Sequence, residues 1–169
     1  MKGSELLRKL HKLDRRQGIA LTERGAMFSF SYRASIVRDE AKRFLVTFPD
    51  FPRTATDGGD LAEALEEGSD CLGSEIAFRM VQREDIPRPS APRRGQRLIP
   101  VPLYLAPKLA LCLAMREQKL SNSELARRLG ISEGVVRRLL DPKHDSKPEK
   151  VQAALAMLGR RIIVSVEAA

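Results

Sequence analysis

Tryptophan is absent from this chain of 169 residues, and cysteine and histidine occur only twice each. Cys71 and Cys112 lie far apart and belong to no C-x-x-C pair. That argues against a zinc site or a disulfide scaffold and for buried free thiols in a reducing cytoplasm. His11 and His144 stand alone, without a general base, an orienting carboxylate or a metal-ligating neighbour in sequence. No catalytic residue, bound metal or cofactor is therefore expected, and the chain reads as a non-enzyme. No apolar run approaches the roughly 20 residues of a membrane span, and the N-terminal stretch lacks the pattern of a signal peptide, so no membrane partner is expected and the protein reads as cytoplasmic. With aromatic residues at 5 % of the chain, little is available to line a ligand pocket.

Acidic charge is also scarce at the two ends. The formal net charge of +8 divides into +4 over residues 1–26, −1 over residues 27–97 and +5 over residues 98–169. A basic C-terminal third is the electrostatic footprint of nucleic-acid binding. It contains the most specific pattern in the chain, SNSELARRLGISEGVVRRLLD from Ser121 to Asp141. Ser121 and Glu124 form an S-x-x-E capping box that opens one helix. Ala126 is small enough for close helix approach, Gly130 can take a positive φ in the turn, and Val136 packs a second helix back on the first. Ser132 is placed to cap that second helix. Val135, Val136, Leu139 and Leu140 turn inward and Glu133, Gly134, Arg137 and Arg138 turn outward, as in a recognition helix of a helix-turn-helix. Ser132, Glu133, Arg137 and Arg138 are the candidate base readers, and Arg127, Arg128, Lys143 and His144 the candidate phosphate contacts.

Around this motif, a helix begins near Pro107 with Leu109, Leu113 and Met115, and Ser146-x-x-Glu149 caps another that runs through Leu158 to Gly159. Arg161–Val166 (RIIVSV) reads as a last strand that pairs with its copy in a second subunit, giving a homodimer or higher oligomer. Upstream, PRPSAPRRGQR from Pro87 to Arg97 has little to bury and reads as an extended linker, with a short strand at Leu98–Val101 beyond it.

The middle of the chain gives β-β-β-α. Phe28–Val37 and Arg43–Phe48 form a hairpin turning at Asp39-Glu40, and Arg53–Thr56 forms a third strand. Asp60, with Glu63 three residues on, opens a helix striped by Leu61, Leu65, Leu72, Ile76 and Met80. Its other side is acidic, and Glu63, Glu66, Glu67 and Asp70 are candidate contacts for a basic partner. Asp39, Asp50 and Asp57 fall in predicted turns, where Asp is favoured for its backbone hydrogen bonds rather than for holding a metal. The fold class is α+β, with a small β-β-β-α domain over residues 27–86, a linker over 87–97 and a helical domain with a C-terminal strand over 98–169.

Residues 27–166 resemble the HicB-type antitoxins of bacterial toxin–antitoxin pairs. The resemblance is carried by the hairpin, by VTFPDFP from Val46 to Pro52, by GGDLAEAL from Gly58 to Leu65, and by the attached helix-turn-helix. The family usually has Asp at the position of Gly59 and Thr or Ser at that of Asp60. The resemblance implies a partial RNase H-like fold for residues 27–86 that masks a small, basic, RNA-cleaving toxin of the HicA type. It further implies that the C-terminal part represses the shared operon by binding operator DNA. Residues 1–26 read as a helical extension with Ser4 as cap and Leu6, Leu7, Leu10 and Leu13 as its buried side. MKGSELLRKL resembles the start of a HicA-type toxin, yet Glu23-Arg24-Gly25-Ala26 stands where such toxins carry Gly-Ser-His. A toxin start fused to an antitoxin, translation from Met27, and an unrelated amphipathic extension all remain open. So does an alternative function, a helix-turn-helix transcription regulator whose N-terminal domain senses a ligand.

Overall fold

A computed structural model describes residues 13–14, 19–22 and 25–164, with side chains from residue 29 onward. Among the described residues the protein is α+β, with a four-stranded and a three-stranded antiparallel sheet and five helices. The chain divides into two units. One holds the residues up to Glu75 together with Asp85–Pro102, and the other holds Ile76–Glu84 with the residues from Leu103 onward.

The smaller sheet consists of β1 (Leu13–Asp14), β2 (Ile19–Thr22) and β3 (Gly25–Phe28), in that order. Leu13 pairs with Ala20 and Ile19 with Phe28. Here the structure differs from the helix expected over residues 1–26: Leu13, placed on that helix's buried side, lies in a strand. Ile19 and Thr22 are β-branched and favour the pleated conformation, and antiparallel pairing satisfies their backbone groups. Ser4, Leu6, Leu7, Leu10, His11, Glu23 and Arg24 lie outside the described residues.

The larger sheet contains β4 (Ser31–Arg38), β5 (Phe44–Phe48), β6 (Phe51–Gly58) and β7 (Gln96–Pro100), ordered β6-β5-β4-β7. Alternation sets its inner face: Tyr32, Ala34, Val46, Phe48 and Ile99 are buried. The Tyr32 and Phe51 rings meet at 5.0 Å, tilted by 59°. The expected hairpin closes at Asp39, whose carbonyl accepts the Lys42 N–H and whose carboxylate accepts the Arg43 N–H. Helix α1 (Leu61–Gln82) follows. The Asp60 carboxylate accepts the Glu63 N–H at 2.9 Å, and Glu63 reaches back to accept the Gly59 N–H. Ala64, Gly68 and Leu72 form the part of its buried face that lies in the first unit, while Leu61 and Leu65 are only half-buried. At Gly68 a Cβ would stand 2.8 Å from Ile99 Cδ1 and 3.3 Å from Val46 Cγ1, which places this face directly on the sheet.

Residues 87–97 are not a free linker. The Tyr32 hydroxyl donates to the Pro87 carbonyl at 2.8 Å. Asp50, in the turn between β5 and β6, accepts both the amide and the hydroxyl of Ser90. Its Oδ1 also lies 3.4 Å from Arg33 Nε, and the two side chains are 8 % and 15 % exposed. Gln96 opens β7, donating from its side chain to Ser35 at 3.1 Å. β7 then runs along β4 from Ser35↔Gln96 to Ser31↔Pro100. The expectation failed because it weighed apolar burial, whereas hydrogen bonds to Tyr32, Asp50 and β4 fix this segment. The strand expected at Leu98–Val101 exists, but it belongs to the first unit.

The second unit contains α2 (Ala106–Glu117), α3 (Asn122–Leu129), α4 (Glu133–Leu140) and α5 (Pro148–Met157). Leu111, Met115, Leu125, Ala126, Val136, Leu139, Val151 and Leu155 share one core. Two details depart from the sequence reading. Lys147 rather than Ser146 stands at the N-cap of α5, without a side-chain cap bond. Gly159 ends that helix as expected, at φ +71°. Of the strand expected over Arg161–Val166, residues 161–164 pair with no strand among the described residues, the Ile162 N–H donating to the Gln152 side chain, and Ser165 and Val166 lie outside the described residues.

Gly58 provides the sharpest test of the first unit. A Cβ there would lie 2.4 Å from the backbone nitrogen of Ala64, which cannot give way. Gly58→Ala is expected to cost about 1–3 kcal/mol by overpacking, read as a lower urea midpoint at unchanged slope. Gly59→Ala, whose Cβ would meet only the flexible ends of Glu63 and Arg43, is expected to stay within about 0.5 kcal/mol.

Candidate functional site

The site begins with the two short helices α3 and α4. Ser121 Oγ accepts the Glu124 N–H at 3.1 Å and caps α3. Gly130 ends α3 at φ 64°, ψ 32°, and its N–H returns to the Ala126 and Arg127 carbonyls, with Ile131 N–H donating to Ala126 as well. The chain therefore turns sharply into α4, whose Val136 and Leu139 are buried beside Leu125 and Ala126. Val135 and Leu140, also expected inside, are half-buried.

The exposed side of this helix pair is organised by two glutamates. Glu124 does not complete the capping box; its carboxylate takes Arg127 at 2.8 and 3.1 Å and Arg128 at 2.9 Å. Bonds from Arg127 first, then Arg128, hold the Glu124 carboxyl below its usual pKa. Glu133 accepts Ser123 Oγ at 2.6 Å, joining the start of α3 to the start of α4, and holds Arg137 at 2.6 and 3.0 Å. Ser123 and then Arg137 lower its pKa likewise. Ser132 occupies the N-cap of α4, but its hydroxyl makes no cap bond; its carbonyl accepts the Val135 and Val136 amides. Arg138 is exposed and stands outside both ion-pair sets. The structure thus brings Ser132, Glu133, Arg137 and Arg138 onto α4, with Arg127 and Arg128 exposed near the end of α3. Exposed ion pairs of this kind contribute little to stability.

Lys143 and His144 lie in the loop after α4 and are exposed. This loop is tied down. Asp141 Oδ1 accepts the Lys143 N–H at 2.9 Å, the Asp141 carbonyl accepts the His144 N–H, and His144 Nδ1 lies 3.1 Å from Ser146 Oγ. Sequence reasoning missed Lys108, buried at the start of α2, whose Nζ donates to Asp141 O and Ser146 Oγ. It also missed Ser123. The signal available for Lys108 was a lysine at an otherwise apolar helix start.

On α1, Glu63, Glu66, Glu67 and Asp70 are all exposed. Glu63 is already committed to the helix N-terminus, which leaves Glu66, Glu67 and Asp70 as the open acidic edge. Asp39 closes its hairpin, Asp50 holds Ser90 and Arg33, and Asp57 pairs with Arg43. Each of the three aspartates expected in turns has a structural partner, although Asp57 lies within β6 rather than in a turn. No helix among the described residues is long and apolar enough to cross a membrane.

Comparison with known proteins adds to this geometry. A family model described as the HicB_like antitoxin of bacterial toxin-antitoxin system matches residues 31–110. Antitoxin HicB 1 of Photorhabdus laumondii is 32 % identical over 136 residues, covering 80 % of this chain and 86 % of its own. Antitoxin HicB of Pseudomonas fluorescens is 35 % identical over 134 residues, covering 79 % and 92 %. Antitoxin HicB of Escherichia coli K12 is 34 % identical over 119 residues, covering 70 % and 86 %.

Proposed function

The chain belongs to the HicB-like antitoxin family, and on that premise we propose that it binds and neutralises a HicA-type RNA-cleaving toxin and represses its own operon. In this reading β4, β5, β6 and α1 form the partial RNase H-like layer that meets the toxin through Glu66, Glu67 and Asp70 on α1. α3 and α4 form the helix-turn-helix that meets operator DNA. The observation that carries the proposal is the exposed arginine array built around the Gly130 turn, in a chain whose relatives are antitoxins. The charge division supports it: a first unit with an acidic helix edge suits a basic toxin, and a basic second unit suits DNA. A homodimer, with the exposed Ile163 and Val164 at its seam, would set two such helix pairs on two half-sites.

Two experiments test this. When the protein is co-expressed with the small basic protein encoded beside it, cells should survive that toxin, and reversing the charge of Glu66, Glu67 and Asp70 together should slow association before it changes dissociation. Survival that requires no first unit would sink the toxin assignment. In DNA binding, Arg138→Ala should cost about 1–3 kcal/mol and relax preference at one base step. Arg127→Ala and Arg128→Ala should instead weaken all sequences alike and flatten the salt dependence. Operator affinity and preference left intact by Arg138→Ala and Arg137→Ala together would mean that α4 does not read bases.

A further inference from the structure

Lys108 breaks two local rules at once. It stands in the first turn of α2, where the helix dipole disfavours a cation, and it is only 4 % exposed. Loss of water lowers its pKa, against the opposing pull of Asp141 and Asp145. A methionine or leucine would fill the same place without desolvating a charge, so the ammonium is retained for what it holds.

What it holds is the far end of α4 and the loop beyond. Nζ donates to the Asp141 carbonyl at 2.9 Å and to Ser146 Oγ at 3.0 Å. The Ser146 hydroxyl gives its one proton to the Arg138 carbonyl at 3.1 Å. A serine oxygen has two acceptor positions; Lys108 takes one and His144 Nδ1, at 3.1 Å, is left to donate into the other. The His144 ring and backbone are thereby tied to Ser146 and Asp141, both gripped by the same ammonium, and Lys143 is tied to the Asp141 carboxylate. As an imidazolium, which carries an N–H on both ring nitrogens, His144 can also donate from Nε2 to an outside acceptor beside the exposed Lys143.

We propose that Lys108, acting through Ser146 and the Asp141 carbonyl, is the positioning residue that presents Lys143 and His144 to the phosphates of bound DNA. The role rests on the reading of the second unit as DNA-binding. Lys108 itself touches no DNA. It fixes a loop whose two donors would otherwise spread over many conformations, and phosphate contacts set register only when their donors are held in place.

The test uses the full chain and a fluorescent duplex carrying the sequence upstream of its own gene, with affinity followed across a salt series. Lys108→Met is expected to lose about tenfold in affinity on this duplex and on an unrelated one alike, and to lower the slope of log K against log salt by roughly one to two. Ser146→Ala should follow it, and Ser146→Thr should restore wild-type behaviour. Adding Lys143→Ala and His144→Ala to Lys108→Met should cost nothing further, because the positioned groups are already displaced. An unchanged salt slope, or a cost of Lys143→Ala and His144→Ala as large in Lys108→Met as in the wild type, would overturn the role and leave Lys108 a packing residue. Should Lys108→Met fail to fold, Ser146→Ala and Ser146→Thr carry the same comparison. A wild-type protein that binds neither duplex overturns the DNA-binding reading and this role with it, a failure visible before any variant is made.

Discussion

The pairing of β7 with β4 is the constraint on which the first unit depends. β6 lies at one edge of the sheet and β7 at the other, so the chain between them has to cross from edge to edge. The first-unit part of α1, from Leu61 to Glu75, about 22 Å long at 1.5 Å per residue, does this. Crossing on the inner face, it covers the row of Val46, Phe48 and Ile99, where Gly68 lets it lie close. The return is guided by polar anchors beside the buried Ile86: Tyr32 takes Pro87, and Asp50 takes Ser90. The sequence VTFPDFP then has a physical meaning. Phe48 and Phe51 are buried from its two sides, and the Asp between them holds the segment that delivers β7.

The second unit solves a different problem. It presents several arginines on a small surface without letting them repel one another or collapse onto the core. Glu124 and Glu133 each sit one helical turn before the arginines they hold, so the pairs form by local geometry alone. Such pairs orient guanidinium groups at little energetic gain, and a multivalent anion can displace them. Glu133 has a second task through Ser123, since that bond links the first turns of α3 and α4 and fixes their angle from the outside while Val136 fixes it from the inside. Glu133, one of the candidate base readers, is thus also a brace for Arg137.

What was legible in the sequence was local. The hairpin at Asp39, the caps at Ser121 and Asp60, the turn at Gly130 and the stop at Gly159 each rest on residues three to five apart, and those spacings are visible in the chain. The partners of Tyr32, Asp50, Lys108 and Gln96 lie 55, 40, 33 and 61 residues away, and no pattern within one element announces them. Competition for one side chain was equally invisible. Ser146 fits a capping box in sequence, but its hydroxyl already serves Lys108 and Arg138, so the cap of α5 passes to Lys147. Glu124 loses its half of the box to Arg127 and Arg128 in the same way.

This difference bears on where the first unit ends. Composition drew the boundary at residue 86, because eleven residues rich in proline and arginine follow. Hydrogen bonding draws it after Pro102, because β7 supplies one of the two neighbours of β4 and Ser90 supplies the partner of a nearly buried aspartate. Cutting at 86 would leave β4 as a raw edge and Asp50 with only Arg33, a buried carboxylate short of the hydrogen bonds that offset its desolvation. The acidic residues Glu66, Glu67 and Asp70 keep their places only while α1 has a complete sheet to lie on. Any surface they offer to a basic partner is therefore a property of the chain through Pro102, and the segment that reads as a linker is part of what holds that surface in shape.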